Sequence, residues 1–341
     1  MTPASPPRDR GAALLSILMI VAVMSVAALT AVDALGRSIS LARVSSERSQ
    51  TLWAARSTEA IGAVAISRLK DLDDNTLRQA LETGQTITVP FERGVMHATL
   101  ADDSNCFNLN TITGEADDTS HIRLQALLEA QGLFRSDARA LAESVADWID
   151  TDASPRAFGA EDGYYGTLET PYRAANARLV NLSELRAIKG FTPEIIETIR
   201  PLVCVRPSTF QSALNIETLR ETDAPLLIAL YSGELSLEQA QSVIRARPLS
   251  GWLTADTFLA DSEIQSIAVS ARNDSMIALR PTSLRLTARI VSGPTQEILQ
   301  LTYAMDEGGK APLCNASQRG RANRIRAGHG HGYQLDVRRH G

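Results

Sequence analysis

One uncharged apolar run near the amino terminus constrains this chain more than any other feature. Residues 12–32 contain no charged side chain and follow directly after Arg8-Asp9-Arg10-Gly11. Because an α-helix rises about 1.5 Å per residue, such a run spans a bilayer core of about 30 Å. No proline occurs between Pro7 and Pro90, and good helix formers continue beyond the run. The sequence therefore predicts one helix that begins in a membrane and continues into water to about residue 70.

Two kinds of amino-terminal signal contain such a run. A secretory signal peptide has an apolar core of about 7 to 15 residues and a small-residue cleavage site, for which Ala28-Leu-Thr-Ala31 qualifies. The mature chain would then be a soluble binding protein. In the other kind, a short leader is removed and the apolar run stays in the mature protein. Arg8 and Arg10 would hold that leader on the cytoplasmic side.

Strand patterns lie on both sides of a long central segment. Residues 86–91 and 95–101 are rich in β-prone side chains. In residues 284–290 apolar and polar side chains alternate, which indicates a half-buried strand, and residues 296–305 supply a partner strand. A long helix followed by a split set of strands predicts an α+β domain that carries an insertion. The exposed part of the helix has an apolar stripe through Leu35, Ile39, Ala42, Ser46, Ser49, Trp53, Ser57, Ala60 and Val64. We expect this stripe to pack on the sheet, or on the sheet with its upper part against the long helices of other subunits.

The central segment has helical periodicity. Residues 120–131 place three leucines on one face, and Ser136 is predicted to cap the following helix. Two helical hairpins follow, one entering a helix through Thr192-Pro193 and the other through a capping box of Ser236 and Gln239. Both resemble helix-hairpin-helix units, many of which bind DNA phosphates through backbone amides. A periplasmic DNA-binding or DNA-uptake protein is therefore an alternative function.

Charge argues against that alternative. The chain has a formal net charge of −5 at pH 7, and in residues 214–248 five acidic residues outnumber three arginines. Binding to DNA depends on a surplus of cations that contact phosphates. We therefore expect no nucleic-acid partner.

The sequence also lacks recognisable catalytic motifs. No serine or cysteine has a nucleophile elbow or triad setting, and no glycine-rich loop follows a strand in the phosphate-binding manner. The carboxy-terminal segment is rich in Gly, Arg and His without apolar periodicity, which predicts disorder. We expect no enzymatic activity.

Three cysteines, Cys106, Cys204 and Cys314, lie far apart and form no CxxC pair, which argues against a zinc site. In an oxidising periplasm one disulfide is expected. Cys106 with Cys204 is the predicted pair, because Cys314 lies in the segment predicted to be disordered.

Five carboxylates close together in sequence are candidate cation ligands: Asp147, Asp150, Asp152, Glu161 and Asp162. Hard cations such as Ca²⁺ bind about six to eight oxygens, which a helix end and the loop after it can supply. The spacing is not that of an EF-hand. The alternative is a solvated acidic loop neutralised by Arg156 and Arg173.

The amino terminus resembles a class III prepilin signal, in which a leader ends in glycine directly before a long apolar helix. Type IV pilins and type II secretion pseudopilins carry this signal. The resemblance implies that a prepilin peptidase cleaves between Gly11 and Ala12 and methylates the new terminus. Most members have Glu at mature position five, where this chain has Ser16. A subunit with no neighbour above it would not need that carboxylate to neutralise a terminal amine.

Six segments follow the order seen in the general secretion pathway protein K family of minor pseudopilins. They are Phe107-Asn-Leu-Asn110, Asp147-Trp-Ile-Asp150-Thr-Asp152, Gly159-Ala-Glu-Asp162-Gly-Tyr-Tyr165, Pro171-Tyr-Arg-Ala-Ala-Asn176, Ser183-Glu-Leu-Arg-Ala-Ile-Lys-Gly-Phe191 and Leu214-Asn-Ile-Glu-Thr218. The last departs from the family pattern, because Glu217 stands where the family has asparagine. With the leader and the helix, the resemblance covers roughly residues 10–305.

This resemblance implies a pseudopilin fold: a long amino-terminal transmembrane helix packed on a small antiparallel sheet, with a large inserted all-α domain. It also implies a position at the pseudopilus tip, I-type and J-type minor pseudopilins and the major pseudopilin as partners, and contact with an inner-membrane secretion platform. The chain would cross the bacterial inner membrane once, keep its bulk in the periplasm and hold structural Ca²⁺. The predicted division is a leader (1–11), a transmembrane and extended helix (12–70), a sheet domain (71–112 and 276–306), an inserted helical domain (113–275) and a disordered tail (307–341).

Overall fold

The computed structural model describes residues 9–84, 86–91, 94–114, 119–207, 213–292, 295–305, 314–315 and 319–320. Its first element, α1 (Asp9–Lys70), is one continuous helix of 62 residues, or about 93 Å. The segment Leu14–Ala42 is long and apolar enough to cross a membrane, and none of it is buried in the protein. The prediction of one continuous helix to about residue 70 is confirmed. Residues 1–8 of the predicted leader lie outside the described residues.

A small antiparallel sheet lies beside the carboxy-terminal part of α1. The helix α1 is called the stem below. After α2 (Asp74–Glu82), the strands β1 (Thr86–Phe91) and β2 (Gly94–Asp102) form a hairpin. The chain returns much later as β7 (Ser283–Ser292) and β8 (Thr295–Ala304), and β7 pairs with both β2 and β8. Two further strands of two residues, β9 (Cys314–Asn315) and β10 (Arg319–Gly320), pair with β8.

The face of α1 that packs on this sheet is not the predicted stripe. Ser57, Ala60 and Val64 are exposed, whereas Thr58, Gly62 and Ile66 are buried. The buried face contacts Met96, Leu286 and Tyr303. Glycine at position 62 allows this close approach, since a Cβ there would collide with the side chains of Leu286 and Tyr303. The expectation that the stripe packs on the sheet was therefore wrong at Ser57, Ala60 and Val64.

The segment between β2 and β7 is mainly helical and has its own core. Its helices are α3 (Ser120–Ala130), α4 (Arg135–Ile149), α5 (Asp162–Tyr165), α6 (Pro193–Ile199), α7 (Ala224–Leu230), α8 (Leu237–Arg245), α9 (Ala255–Leu259) and α10 (Ser262–Gln265). Two short parallel pairs of strands supplement them: β3 (Phe107–Asn108) with β4 (Val203–Cys204), and β5 (Leu214–Asn215) with β6 (Ile277–Ala278).

Local signals placed most of these helices correctly. Thr192 accepts a hydrogen bond from the Ile195 amide at the start of α6, with proline as the next residue. Ser236 and Gln239 form the predicted capping box of α8. The predicted cap of α4 is wrong, because Phe134 stands at the N-cap and makes no side-chain cap bond, and Ser136 lies inside the helix.

The insertion is longer than predicted at both ends. Phe107, Leu109 and Ile112 belong to the core of the helical domain, and Ile277 and Leu279 pack against it. Packing therefore places the boundaries near residues 107 and 279, since these five apolar side chains, which were assigned to the sheet domain, pack with the helices instead. The short strands β9 and β10 likewise fall inside residues 307–341, so the predicted disorder is wrong for those four residues, whereas the rest of that segment lies outside the described residues.

Candidate cation site and assembly surfaces

Three acidic side chains meet where α4 ends. Asp147 and Asp150 lie three residues apart, and therefore on one face of the last turn of the helix. The chain then loops back and brings Glu161 beside them, so that one oxygen of each carboxylate lies within 4.8 Å of the others. Gly159 permits this return, because a Cβ at that position would collide with the Asp147 carboxylate.

The cluster is buried and only partly neutralised. The exposed fractions of Asp147, Asp150 and Glu161 are 0%, 6% and 3%. Arg156 donates from Nη1 to Asp147 Oδ1 and to Asp150 Oδ2, both at 2.7 Å. Its backbone amide also donates to Asp147 Oδ2 at 3.1 Å. Asp150 Oδ1 and both Glu161 oxygens are buried without a hydrogen-bond partner.

Burial without partners has an electrostatic consequence. Desolvation, followed by repulsion from Asp150 and Asp147, raises the pKa of Glu161 to about 7. Burial also raises the pKa values of Asp147 and Asp150, although hydrogen bonds from Arg156 oppose the shift. An unpaired buried carboxylate is costly, and a hard cation is the kind of ligand that would compensate it.

Two of the five predicted ligands are not part of this cluster. Asp152 is exposed and accepts a hydrogen bond from the Ser154 amide at 2.7 Å. Asp162 accepts from the Ala174 amide at 2.9 Å and lies 3.9 Å from Arg173. Sequence proximity alone could not separate these solvated carboxylates from the buried three.

We expect the stability of the cation-free protein to fall as the pH rises towards neutrality. The folded-state pKa of Glu161 lies above its ordinary value of 4.5, so between about pH 5 and about pH 7 the folded chain binds a proton that the unfolded chain has lost. The free energy of unfolding should then drop by up to about 1.4 kcal/mol per pH unit. Chemical denaturation in the presence of a chelator, from pH 5 to pH 8, measures this slope.

Glu161→Gln should flatten the slope, because the amide stays neutral at every pH in this range. Glu169→Gln, which changes an exposed carboxylate in the same region, is the matched control and should keep the wild-type slope. An unchanged slope in Glu161→Gln would contradict the assignment.

A second polar network joins the beginning of the insertion to its middle, and sequence reasoning did not find it. Asn110 donates from Nδ2 to the carbonyls of Leu179 and Arg206, at 2.9 and 2.8 Å, and accepts from the Leu179 amide. Asn108 accepts from the Arg206 amide at 3.0 Å. A disulfide joins Cys106 to Cys204 next to this network. The signal available in the sequence was a pair of asparagines inside an otherwise apolar segment.

Ion pairs connect the helical domain to α2 of the sheet domain. Arg78 Nε lies 3.6 Å from Glu217 Oε2, and Arg247 Nη2 lies 3.5 Å from Glu82 Oε1. Glu217 also accepts from the Trp252 amide at 2.6 Å. Glu217, which stands where the family has asparagine, thus supplies a negative charge that forms an ion pair between the helical domain and the sheet domain.

Three arginines of the helical hairpins form ion pairs with nearby carboxylates. Arg200 contacts Glu197 at 2.7 Å, Arg220 contacts Asp223 at 3.1 Å and Arg245 contacts Glu221 at 3.0 Å. A cation already engaged with a carboxylate is a poor phosphate ligand.

An open apolar groove of about 540 Å³ runs between α1, α2 and the sheet. Ala60, Val64, Leu81, Ile87 and Leu100 are among its lining residues. Further up the same helix, Leu35 and Ile39 expose 63% and 55% of their surface. Leu35 and Ile39 belong to the segment that could cross a membrane, whereas the groove is exposed apolar surface outside that segment, which is a property of interaction sites.

Comparison with known proteins gives consistent matches over most of the chain. Residues 105–208 and 214–280 match two family models, both of type II secretion system (T2SS), protein K. Type II secretion system protein K of Pectobacterium carotovorum subsp. carotovorum is 32% identical over 258 residues, covering 73% of this chain and 78% of the relative. The protein of the same name from Klebsiella pneumoniae is 32% identical over 274 residues, covering 77% and 83%.

The fold has a counterpart of known structure. The GspK-GspI-GspJ complex from the type 2 secretion system of enterotoxigenic Escherichia coli contains a chain that superposes with a TM-score of 0.63 at 25% identity. The superposition covers 77% of this chain and 94% of that one.

Proposed function

The chain belongs to the type II secretion system protein K family, and we propose that it acts as a minor pseudopilin that caps the pseudopilus tip, helps to initiate its assembly and limits its length. The observation that carries this proposal is the position of the insertion. A helical domain with its own core is inserted between two adjacent strands of the small sheet that packs on the stem. Such a head would obstruct addition of a further subunit above it, and Ser16 in place of the usual glutamate agrees with that end position.

The proposed partners are the I-type and J-type minor pseudopilins, followed by the major pseudopilin. A structural relative was crystallised as a GspK-GspI-GspJ complex. The exposed apolar face of α1 and the groove beside it supply the surface on which the stem of another pseudopilin would pack. Function of this kind depends on assembly and needs no catalytic residue.

The proposed location is the inner membrane, with a single pass and the bulk of the chain in the periplasm. A prepilin peptidase would cut between Gly11 and Ala12, and the secretion platform would extract the processed stem into the fibre. Gly11 and Ala12 lie in the backbone of α1. Amino-terminal sequencing of the membrane fraction should give Ala12 as the first residue, whereas a soluble product beginning near Val32 would support the signal-peptide alternative.

A bound Ca²⁺ would be structural in this proposal. Asp147, Asp150 and Glu161 fit the donor set that hard cations prefer, and the unpartnered oxygens of Asp150 and Glu161 are the observation that favours a cation over a plain acidic loop. When bound, the cation would compensate the buried negative charge at the end of α4. The other oxygens that Ca²⁺ requires would come from water or backbone carbonyls.

Removing the insertion while keeping the stem tests the tip model. The Asp103 amide donates to the Ser283 carbonyl at 3.0 Å, so a two-residue turn can join Asp103 to Ser283 without disturbing the sheet register. Expressed with the other pseudopilins, this variant should give longer or irregular fibres in electron micrographs. Processing to Ala12 is checked in the same cells as the control. Fibres of wild-type length from a correctly processed variant would contradict the proposal.

A further inference from the structure

Arg156 is held against the acidic cluster from several sides. Nη1 bridges Asp147 and Asp150, and Nη2 donates to the Gly114 carbonyl. Its own backbone amide donates to Asp147 as well. A planar guanidinium matches this arrangement of acceptors, whereas an ammonium on a flexible stem does not present a fixed fork.

The oxygens that Arg156 engages differ from those that lack a partner. On Asp150, Nη1 contacts Oδ2, whereas Oδ1 is buried and unpartnered. Both oxygens of Glu161 are also unpartnered, and no hydrogen bond or ion pair between Glu161 and Arg156 is seen in the described residues. The guanidinium and a cation would therefore bind different oxygens of the Asp150 carboxylate, and Arg156 would not have to leave when a cation binds.

The charge of the site follows from the same four residues. When all four residues are ionised, the three carboxylates and the one guanidinium have a net charge of −2. A divalent cation balances this charge. A trivalent cation would leave one excess positive charge in a buried place, where charge imbalance is expensive.

We propose that Arg156 is the positioning residue of this cation site, and that it also sets the charge that the site accepts. It holds Asp147 and Asp150 through hydrogen bonds that leave Asp150 Oδ1 available to a cation, and its positive charge makes the site selective for divalent over trivalent cations. The inference rests on the proposed Ca²⁺ site and assigns it a residue that contributes no ligand atom.

Titration calorimetry of the full chain in detergent, after removal of bound metal, tests both parts with Ca²⁺ and La³⁺ as probes. Arg156→Lys keeps the charge but loses the planar fork, so its affinity for Ca²⁺ should fall by about tenfold or more, with the La³⁺-to-Ca²⁺ affinity ratio unchanged. Arg156→Gln removes the charge, so that ratio should rise by about tenfold or more. Arg173→Gln, on an exposed arginine 3.9 Å from Asp162, should match the wild type in both respects.

Each result tests one of the two roles proposed for Arg156, the positioning role or the charge role. The affinity ratio is measured within one variant, so a fold defect that weakens both cations equally does not imitate the charge effect. An Arg156→Lys variant that binds Ca²⁺ as tightly as the wild type, or more tightly, overturns the positioning role. An unchanged ratio in Arg156→Gln overturns the charge role. A wild-type chain that binds neither cation overturns the proposed site itself and this inference with it.

Discussion

Replacing Cys204 with alanine should lower the free energy of unfolding by about 4.7 kcal/mol, the value expected for a crosslink that closes a loop of about 100 residues. Cys106 and Cys204 are 98 residues apart. The same exchange loosens the parallel pair of β3 and β4, in which Phe107 lies beside Val203. Chemical denaturation of the full chain in detergent measures the loss.

The third cysteine provides the matched control. Cys314→Ala leaves the Cys106–Cys204 bond intact and should unfold like the wild type. Reductant should destabilise the wild type and Cys314→Ala but have no further effect on Cys204→Ala. If Cys204→Ala unfolds at the wild-type denaturant concentration, the crosslink does not restrict the unfolded chain.

Gly62→Leu should detach the stem from the sheet, at a cost of about 3 kcal/mol. A Cβ at position 62 would collide with the Tyr303 hydroxyl and with Leu286, and both side chains are almost fully buried in the sheet core. Relief would require movement of the helix, because the core around it is closely packed. Hydrogen exchange of the backbone amides from Thr58 to Leu69, together with denaturation, reports the detachment.

Gly36→Leu is the control for helix propensity, since a Cβ at Gly36 would meet no atom within 4 Å apart from the neighbouring backbone of its own helix. This variant should retain wild-type exchange in the docked part of α1. Equal protection of residues 58–69 in Gly62→Leu and in the wild type would show that the stem tolerates a large side chain at the contact.

The elements with a strong local signal were predictable. Alternation of apolar side chains located β7 (Ser283–Ser292) and β8 (Thr295–Ala304) to within a residue or two. Capping chemistry located the start of α8 at Ser236. These features depend only on neighbours along the chain, so periodicity and side-chain type are sufficient to find them.

Features that depend on contacts between distant segments were not predictable in the same way. The face of α1 that packs on the sheet contains Gly62, where the absence of a side chain allows close contact with Leu286 and Tyr303. A pattern of apolar side chains does not reveal such a position. Phe107 fits a sheet domain by sequence position, yet it packs with the helices. For the cation site, the sequence brought Asp147 and Asp150 together through helical spacing, but the burial that separates Glu161 from Asp152 and Asp162 arises only from the folded loop.

The pairing of β2 with β7 has an evolutionary consequence. Asp102 lies opposite Leu284, so the insertion leaves and re-enters the sheet at neighbouring points. Because the two ends of the inserted domain lie so close together, the domain can be enlarged, shortened or replaced without shifting any strand of the sheet. Changes in the length or sequence of the helical domain can therefore accumulate while the sheet and α1 keep their structure.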